Sequence, residues 1–304
     1  MSISWKGVFP AVTTQATPDL AIDLASTQRM VDQLVHDGVH GIIALGTVGE
    51  NNSFEFDEKV SVLKAIVEAV AGRIPVLTGV SEYDTRRAIR YAQAAERVGA
   101  SGLMLLPPMV YVPKSHELTA HFLGVAQNTS LPIMLYNNPP AYRTSIGNDV
   151  LTALAGVANV VALKESAPDT RRFIDLRNAF GDRYTLFAGL DDVALEGLYL
   201  GAKGWVSGLT NAFPQESVEL VAAFERGDHA TAMVIYRWFM PLLHLDAEHD
   251  LVQSIKLAEQ MMGRGSERVF APRMLLIGER RAEVIAMVER AAATRPTLPP
   301  KAAR

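Results

Sequence analysis

The chain has 304 residues, 49 % of them hydrophobic, a formal net charge of −4 and no cysteine. Charges of both signs are interspersed, so no polyanion-binding surface is expected. The lack of cysteine excludes a disulfide framework, a thiolate metal site and a cysteine nucleophile together. The opening stretch MSISWKGVFPAVTT lacks the basic region and apolar run of a signal peptide, and no segment reaches the ~18–20 apolar residues of a membrane helix. The expected location is a reducing cytoplasm, with neither nucleic acid nor membrane as partner.

Short apolar runs alternate with segments of helical period along most of the chain. The runs fall at 7–13, 41–45, 75–79, 102–106, 132–135, 160–163, 185–188 and 204–207. Between and after them the spacing predicts helices over 27–36, 58–70, 84–98, 115–127, 149–154, 169–180, 191–200 and 214–226, as in the repeat of Val62, Ile66 and Val70 on one face. Eight strand–helix pairs in ~220 residues demand a parallel sheet with helical crossovers and favour a closed (β/α)8 barrel, a TIM barrel of the α/β class. The runs are apolar throughout, as strands covered on both faces should be. After Gly227 the pattern becomes purely helical, over 229–243, 251–262 and 282–293. The expected organisation is therefore a barrel domain over residues 1–227 and a C-terminal helical extension over 228–304, ending in a Pro-rich, frayed tail.

Chemistry in such a barrel belongs at the C-terminal ends of the strands. The polar residues that follow the runs include Thr13 and Thr14, Thr47 to Glu50, Ser81, Glu82, Tyr111, Tyr136 to Asn138, Lys164 to Ser166, Gly189, Asp191, Asp192 and Ser207. Lys164 is the odd member. A lysine at the end of a buried run loses solvation, which lowers its pKa and frees a neutral amine to attack a carbonyl carbon. Alone, it reads equally as a lysine that snorkels outward or pairs with Glu165. Tyr136, at the end of the preceding strand, supplies a phenol for proton transfer, although a core tyrosine with a satisfied hydroxyl is the commoner fate. Gly46-Thr47-Val48-Gly49-Glu50 is either a tight turn or a loop whose N–H groups meet a substrate carboxylate while Thr47 relays a proton. Arg143 reads equally as a solvated surface arginine or as a bidentate carboxylate partner. The histidines show no metal-ligand spacing, and Asp191 with Asp192 reads as a helix start rather than a metal pair.

Five segments, GTVGE at 46–50, YNNP at 136–139, LKES at 163–166, AGLDD at 188–192 and GWVSG at 204–208, together resemble the dihydrodipicolinate synthase / N-acetylneuraminate lyase family of lysine-dependent barrels. The resemblance spans about residues 5 to 295. It implies that Lys164 forms a Schiff base with substrate, Tyr136 shuttles protons, and the Thr47 region binds the substrate carboxylate. Gly189 and Ser207 would line the pocket floor, with Val48, Gly49, Tyr111, Asn138, Arg143 and Val206 as further substrate contacts. It also implies no cofactor and a homotetramer built as a dimer of dimers.

Three departures bear on the substrate. The synthase itself carries a second threonine where this chain has Val48, and it completes a Thr–Tyr–Tyr relay with a tyrosine reached across a dimer interface. Here Val110 falls at that place, with Tyr111 one residue on. Its arginine also follows the tyrosine motif more closely than Arg143 follows Tyr136. Longer stretches, among them WKGVFPAVTTQ at 5–15, YNNPPAY at 136–142 and WFMPLLHLD at 238–246, are more similar to the 1-pyrroline-4-hydroxy-2-carboxylate deaminases of the family. The expected substrate is thus a small 2-oxo acid or its cyclic imine carboxylate. A sugar-acid aldolase or dehydratase, the synthase itself, a metal-dependent barrel lyase and a silent barrel that senses a 2-oxo acid are the alternatives.

Overall fold

A computed structural model describes residues 5–299; the last residues of the Pro-rich tail, 300–304, lie outside the described residues. Eight parallel strands run β1 (Gly7–Pro10), β2 (Ile42–Ala44), β3 (Val76–Val80), β4 (Gly102–Leu105), β5 (Ile133–Asn137), β6 (Val160–Glu165), β7 (Thr185–Ala188) and β8 (Gly204–Ser207). They pair in the order β1-β8-β7-β6-β5-β4-β3-β2. The bridge between Ala11 and Ile43, with backbone bonds from His40 N to Val8 O and from Val12 N to Ile43 O, joins β1 to β2. The result is a (β/α)8 TIM barrel, and every predicted strand is present with its ends shifted by at most a few residues.

The strands are buried along nearly their whole length, because the barrel interior covers one face and the helical layer covers the other. Inside the barrel the rings of Phe9 and Phe187 meet edge to face at 5.3 Å. Alternation along β6 sends Lys164 and Glu165 to opposite faces. Lys164 enters the barrel. Glu165 turns to the helical layer, where it accepts hydrogen bonds from Asn137 Nδ2 (2.7 Å), Arg172 Nε (3.1 Å) and the Ala167 N–H (2.9 Å). The alternative in which Lys164 pairs with Glu165 is thereby excluded; Arg172, from the helix Arg171–Phe180, takes that place.

Beyond the barrel, the helices His229–Leu243, Leu251–Met261 and Gly278–Ala293 match the predicted helical segment. The second of them is fastened to the barrel through fully buried polar groups. Lys256 Nζ donates to Glu50 Oε1 and to the Thr14 carbonyl, each at 2.8 Å. Thr13 Oγ1 donates to the Glu259 carboxylate at 2.8 and 2.9 Å. These contacts tie the end of the 46–50 loop to a helix more than 200 residues away in sequence.

Candidate active site

The register of the β5–β6 pair sets Tyr136 directly beside Lys164. Both are buried, and Lys164 Nζ lies 3.9 Å from the centre of the Tyr136 ring. Among the described residues that amine forms no ion pair. Desolvation pushes its pKa below the ordinary lysine value, opposed only by the more distant charges of Asp246 and Asp191 and by Tyr142. A buried ammonium next to an aromatic wall is costly, so the neutral, nucleophilic amine is favoured.

Gly189 follows β7 at the point where Lys164 passes. A Cβ at Gly189 would stand 2.1 Å from Ser166 Oγ and 2.7 Å from Lys164 Cε, so any side chain there would displace the lysine. Glycine is required here by close approach, not by backbone conformation.

The Tyr136 hydroxyl accepts a hydrogen bond from Asn138 Nδ2 at 2.9 Å. Asn138 also caps the short helix Pro139–Tyr142, accepting from the Ala141 N–H. That helix folds because Asn138 supplies the cap and Pro139 opens it with its φ already fixed. Its last residue, Tyr142, is thereby swung back over the cavity. Its ring meets Tyr136 edge to face at 5.6 Å, and its hydroxyl lies 2.5 Å from Thr47 Oγ1. Thr47 therefore reaches Tyr136 through Tyr142 and not directly. Burial pushes the Tyr136 phenol up to about 12 and the Tyr142 phenol higher still, so both are held as protonated donors.

The 46–50 loop is bracketed by two residues with positive φ, Leu45 at 51° and Glu50 at 56°. Such backbone persists only where the surroundings over-determine it. The buried contacts of Glu50 with Lys256 and with the Phe270 N–H (2.9 Å), and those of Asn51 Nδ2 with the Leu45 and Gly79 carbonyls (2.9 and 3.0 Å), supply that support.

These elements enclose a small cavity of about 60 Å³. Of the residues singled out from sequence, Lys164, Tyr136, Thr47, Val48, Asn138, Gly189 and Val206 line it. Four others do not. Gly49 packs under the loop, where a Cβ would meet the Val12 carbonyl at 2.9 Å. Ser207 is turned outward to donate to Asp191 Oδ2 at 3.0 Å. Tyr111 is 56 % exposed on the loop before the helix Ser115–Ala126 and interacts with Glu117. Arg143 ends the Pro139–Tyr142 helix with φ 53° and is exposed, so it does not reach the cavity of its own chain. Asp191 opens the 3₁₀ turn Asp191–Val193 as the sequence suggests, and its buried carboxylate accepts from Trp205 Nε1 (2.8 Å), Ser207 Oγ and the Leu209 N–H (3.0 Å).

Two titratable lining residues escaped the sequence reading, Tyr142 and Asp246. The signal for Tyr142 was the Asn-Pro-Pro cap, which turns the chain by one helical turn and returns an aromatic to the strand end. Asp246 belongs to the 3₁₀ turn His244–Ala247, and burial pushes its carboxyl up to about 6 against the opposing pull of Lys164. No local pattern marks such a residue.

A family model described as the dihydrodipicolinate synthetase family matches residues 4–291. Curated relatives include the 4-hydroxy-tetrahydrodipicolinate synthase of Desulforamulus reducens, 33 % identical over 79 % of this chain and 82 % of that protein. That of Alkalilimnicola ehrlichii is 35 % identical over 75 % and 78 %. Among solved structures, a dihydrodipicolinate synthase from Bacillus anthracis superposes with a TM-score of 0.91 at 27 % identity, covering 97 % of this chain and all of the other. A prophage protein of the same family from E. coli K12, solved with pyruvate, gives 0.90 at 26 % identity, covering 95 % and 99 %. The chain belongs to the dihydrodipicolinate synthetase family, whose members are Schiff-base lyases that use a lysine and need no cofactor.

Proposed function

We propose that this lyase is a deaminase that converts 1-pyrroline-4-hydroxy-2-carboxylate and one water to 2,5-dioxopentanoate and ammonia. The observation that carries the reading is the charge of the cavity. Lys164 is the only arginine or lysine among the described residues that line it, and Arg143 is turned to solvent. A synthase acting on aspartate semialdehyde needs a second cation for the far carboxylate; a hydroxy-pyrroline does not. The names of the curated relatives favour the synthase as the second reading. Val48 at the place of its second threonine argues against it.

In the proposed mechanism neutral Lys164 attacks the ring carbon that bears the carboxylate. The C–N ring bond breaks, and both lysine protons end on the departing nitrogen, leaving a protein-bound imine and a terminal amine. Once protonated, the imine is an electron sink. Tyr136, linked through Tyr142 to Thr47, gives its phenol proton to the hydroxyl and takes the proton of the neighbouring carbon in exchange, so that the enamine expels the hydroxyl as water. Proton shifts carry the double bond to the amine end. Two waters then hydrolyse the two imines, releasing ammonia and the dioxo acid and regenerating Lys164. The active species is proposed to be a homotetramer.

Borohydride trapping tests the reading. Reduction in the presence of the hydroxy-pyrroline should fix one adduct on Lys164, with ammonia released in unreduced samples. A pyruvate adduct without ammonia from the pyrroline would move the protein to the synthase and aldolase branch.

A further inference from the structure

Lys164, Tyr136, Tyr142 and Thr47 account for the covalent and proton-transfer steps, and none of those steps uses Asp246. Yet Asp246 lines the same cavity. Its carboxylate accepts a hydrogen bond from the Asp191 backbone N–H and feels the charge of Lys164, but it forms no ion pair with any described residue. A carboxylate offers about four lone-pair positions, so most of its accepting capacity is unspent. Asp191, the other buried acid nearby, is different: three protein donors already occupy it. The room that Asp246 occupies is also specific. A Cβ on Gly208 would stand 2.6 Å from Asp246 Oδ1, so the glycine leaves space for the carboxylate.

We infer that Asp246 sets the specificity of the cavity, receiving the nitrogen at the far end of a 2-oxo acid equivalent that is bound through its carbonyl carbon to Lys164. This rests on the Schiff-base role of Lys164 and narrows the substrate class to 2-oxo acids with a distal amine or their cyclic imines. A distal carboxylate would be repelled. When Lys164 opens a cyclic imine, the nitrogen leaves as a terminal amine and takes up a proton at neutral pH. The enclosed carboxylate then faces an ammonium, and a hydrogen bond between two charged groups is stronger than one between neutral groups.

The test uses adduct formation alone, without elimination, so it is independent of the deaminase outcome. Purified protein is titrated with 1-pyrroline-2-carboxylate, 2-oxopentanoate and 2-oxoglutarate, each adduct is reduced with borohydride, and the half-saturating concentration is read from intact mass. With the open acids the carbonyl oxygen leaves as water; with the pyrroline the ring nitrogen stays attached as the amine. The wild type should favour the pyrroline over 2-oxopentanoate by about tenfold or more, and 2-oxoglutarate should trap worst. In Asp246→Asn the preference for the pyrroline should fall below about threefold, and in Asp246→Ala 2-oxoglutarate should gain relative to 2-oxopentanoate.

Each readout is a ratio between ligands within one variant, so a general loss of folded protein does not imitate it. An unchanged ratio in Asp246→Asn, or efficient trapping of 2-oxoglutarate by the wild type, overturns the assignment. Amine preference without ammonia release from the hydroxy-pyrroline keeps the assignment and removes the deaminase. Failure to trap any of the three removes both.

Discussion

Of the three lysines buried among the described residues, Lys59 pairs with Glu82, and Lys256 and Lys164 differ in how their charge is met. Lys256 is fully enclosed, pairs with Glu50 at 2.8 Å and donates to the Thr14 carbonyl. Lys164 is as well enclosed by protein, but the aromatic face of Tyr136 is its nearest named partner and the acids are more distant. Desolvation lowers both pKa values; an adjacent carboxylate opposes it at Lys256, and no such contact does at Lys164. Lys256 holds a loop, and Lys164 is poised, in the proposed mechanism, to lose a proton. Burial alone does not make a lysine reactive; burial without a contacting counter-charge does.

The largest effect should come from removing the reactive member. Lys164→Ala should abolish turnover and borohydride trapping while the far-UV spectrum and melting behaviour stay close to wild type, since no ion pair is lost. A trapped adduct in this variant would place the nucleophile elsewhere. Next come the phenols. Tyr136→Phe should slow turnover by ~10²–10⁴-fold with adduct formation retained. Tyr142→Phe should have a smaller effect in the same direction, because Thr47 would lose its link to Tyr136. Equal rates for wild type and Tyr142→Phe in single-turnover measurements would reduce Tyr142 to a wall of the cavity.

Removing the structural member should act on stability instead. Lys256→Met leaves the buried Glu50, at the end of the 46–50 loop, with only the longer ion pair to Arg273 at 3.7 Å and the Phe270 N–H, and breaking a buried pair from one side costs up to about 3–5 kcal/mol. Denaturant midpoints check this. The double variant Lys256→Met with Glu50→Gln should recover part of the loss, because the carboxylate left with only its longer Arg273 pair is gone. If the double variant is as unstable as the single one, packing and not charge dominates the site.

The same contrast explains what was legible in the sequence. The barrel was readable because its strands are short apolar runs enclosed on both faces, a pattern that survives without tertiary information. Lys164 and Tyr136 were readable because each ends such a run, and the pairing of β5 with β6 then sets them side by side. Tyr142 needed knowledge that Asn138 caps a four-residue helix, which folds the chain back on itself. Asp246 and Lys256 lie 82 and 92 residues after Lys164, on segments whose charges look like ordinary surface charges until the helices pack. Tyr111 and Arg143 failed as cavity residues for the converse reason: their types suited the chemistry, but the loops carrying them turn outward.

The smallest effect probes the surroundings of Lys256. Glu259 is buried, accepts from Thr13, and has its carboxyl pushed up to about 7 by desolvation, which Thr13 and Lys256 only partly offset. The unfolded chain would release that proton near the ordinary value of 4.5. Between these two pH values the folded state holds a proton that the unfolded state has lost. The contribution of this group to stability is therefore complete below about 4.5 and is lost as pH rises through about 7. Glu259→Gln keeps an acceptor for Thr13 and removes the titration. The stability difference between wild type and variant should then move against the wild type as pH is raised from 5 to 8. A difference that stays constant would mean that Glu259 is ionised throughout, with Lys256 shared between two carboxylates. In that case Lys256 would be still further from the unpaired condition that is proposed to make Lys164 a nucleophile.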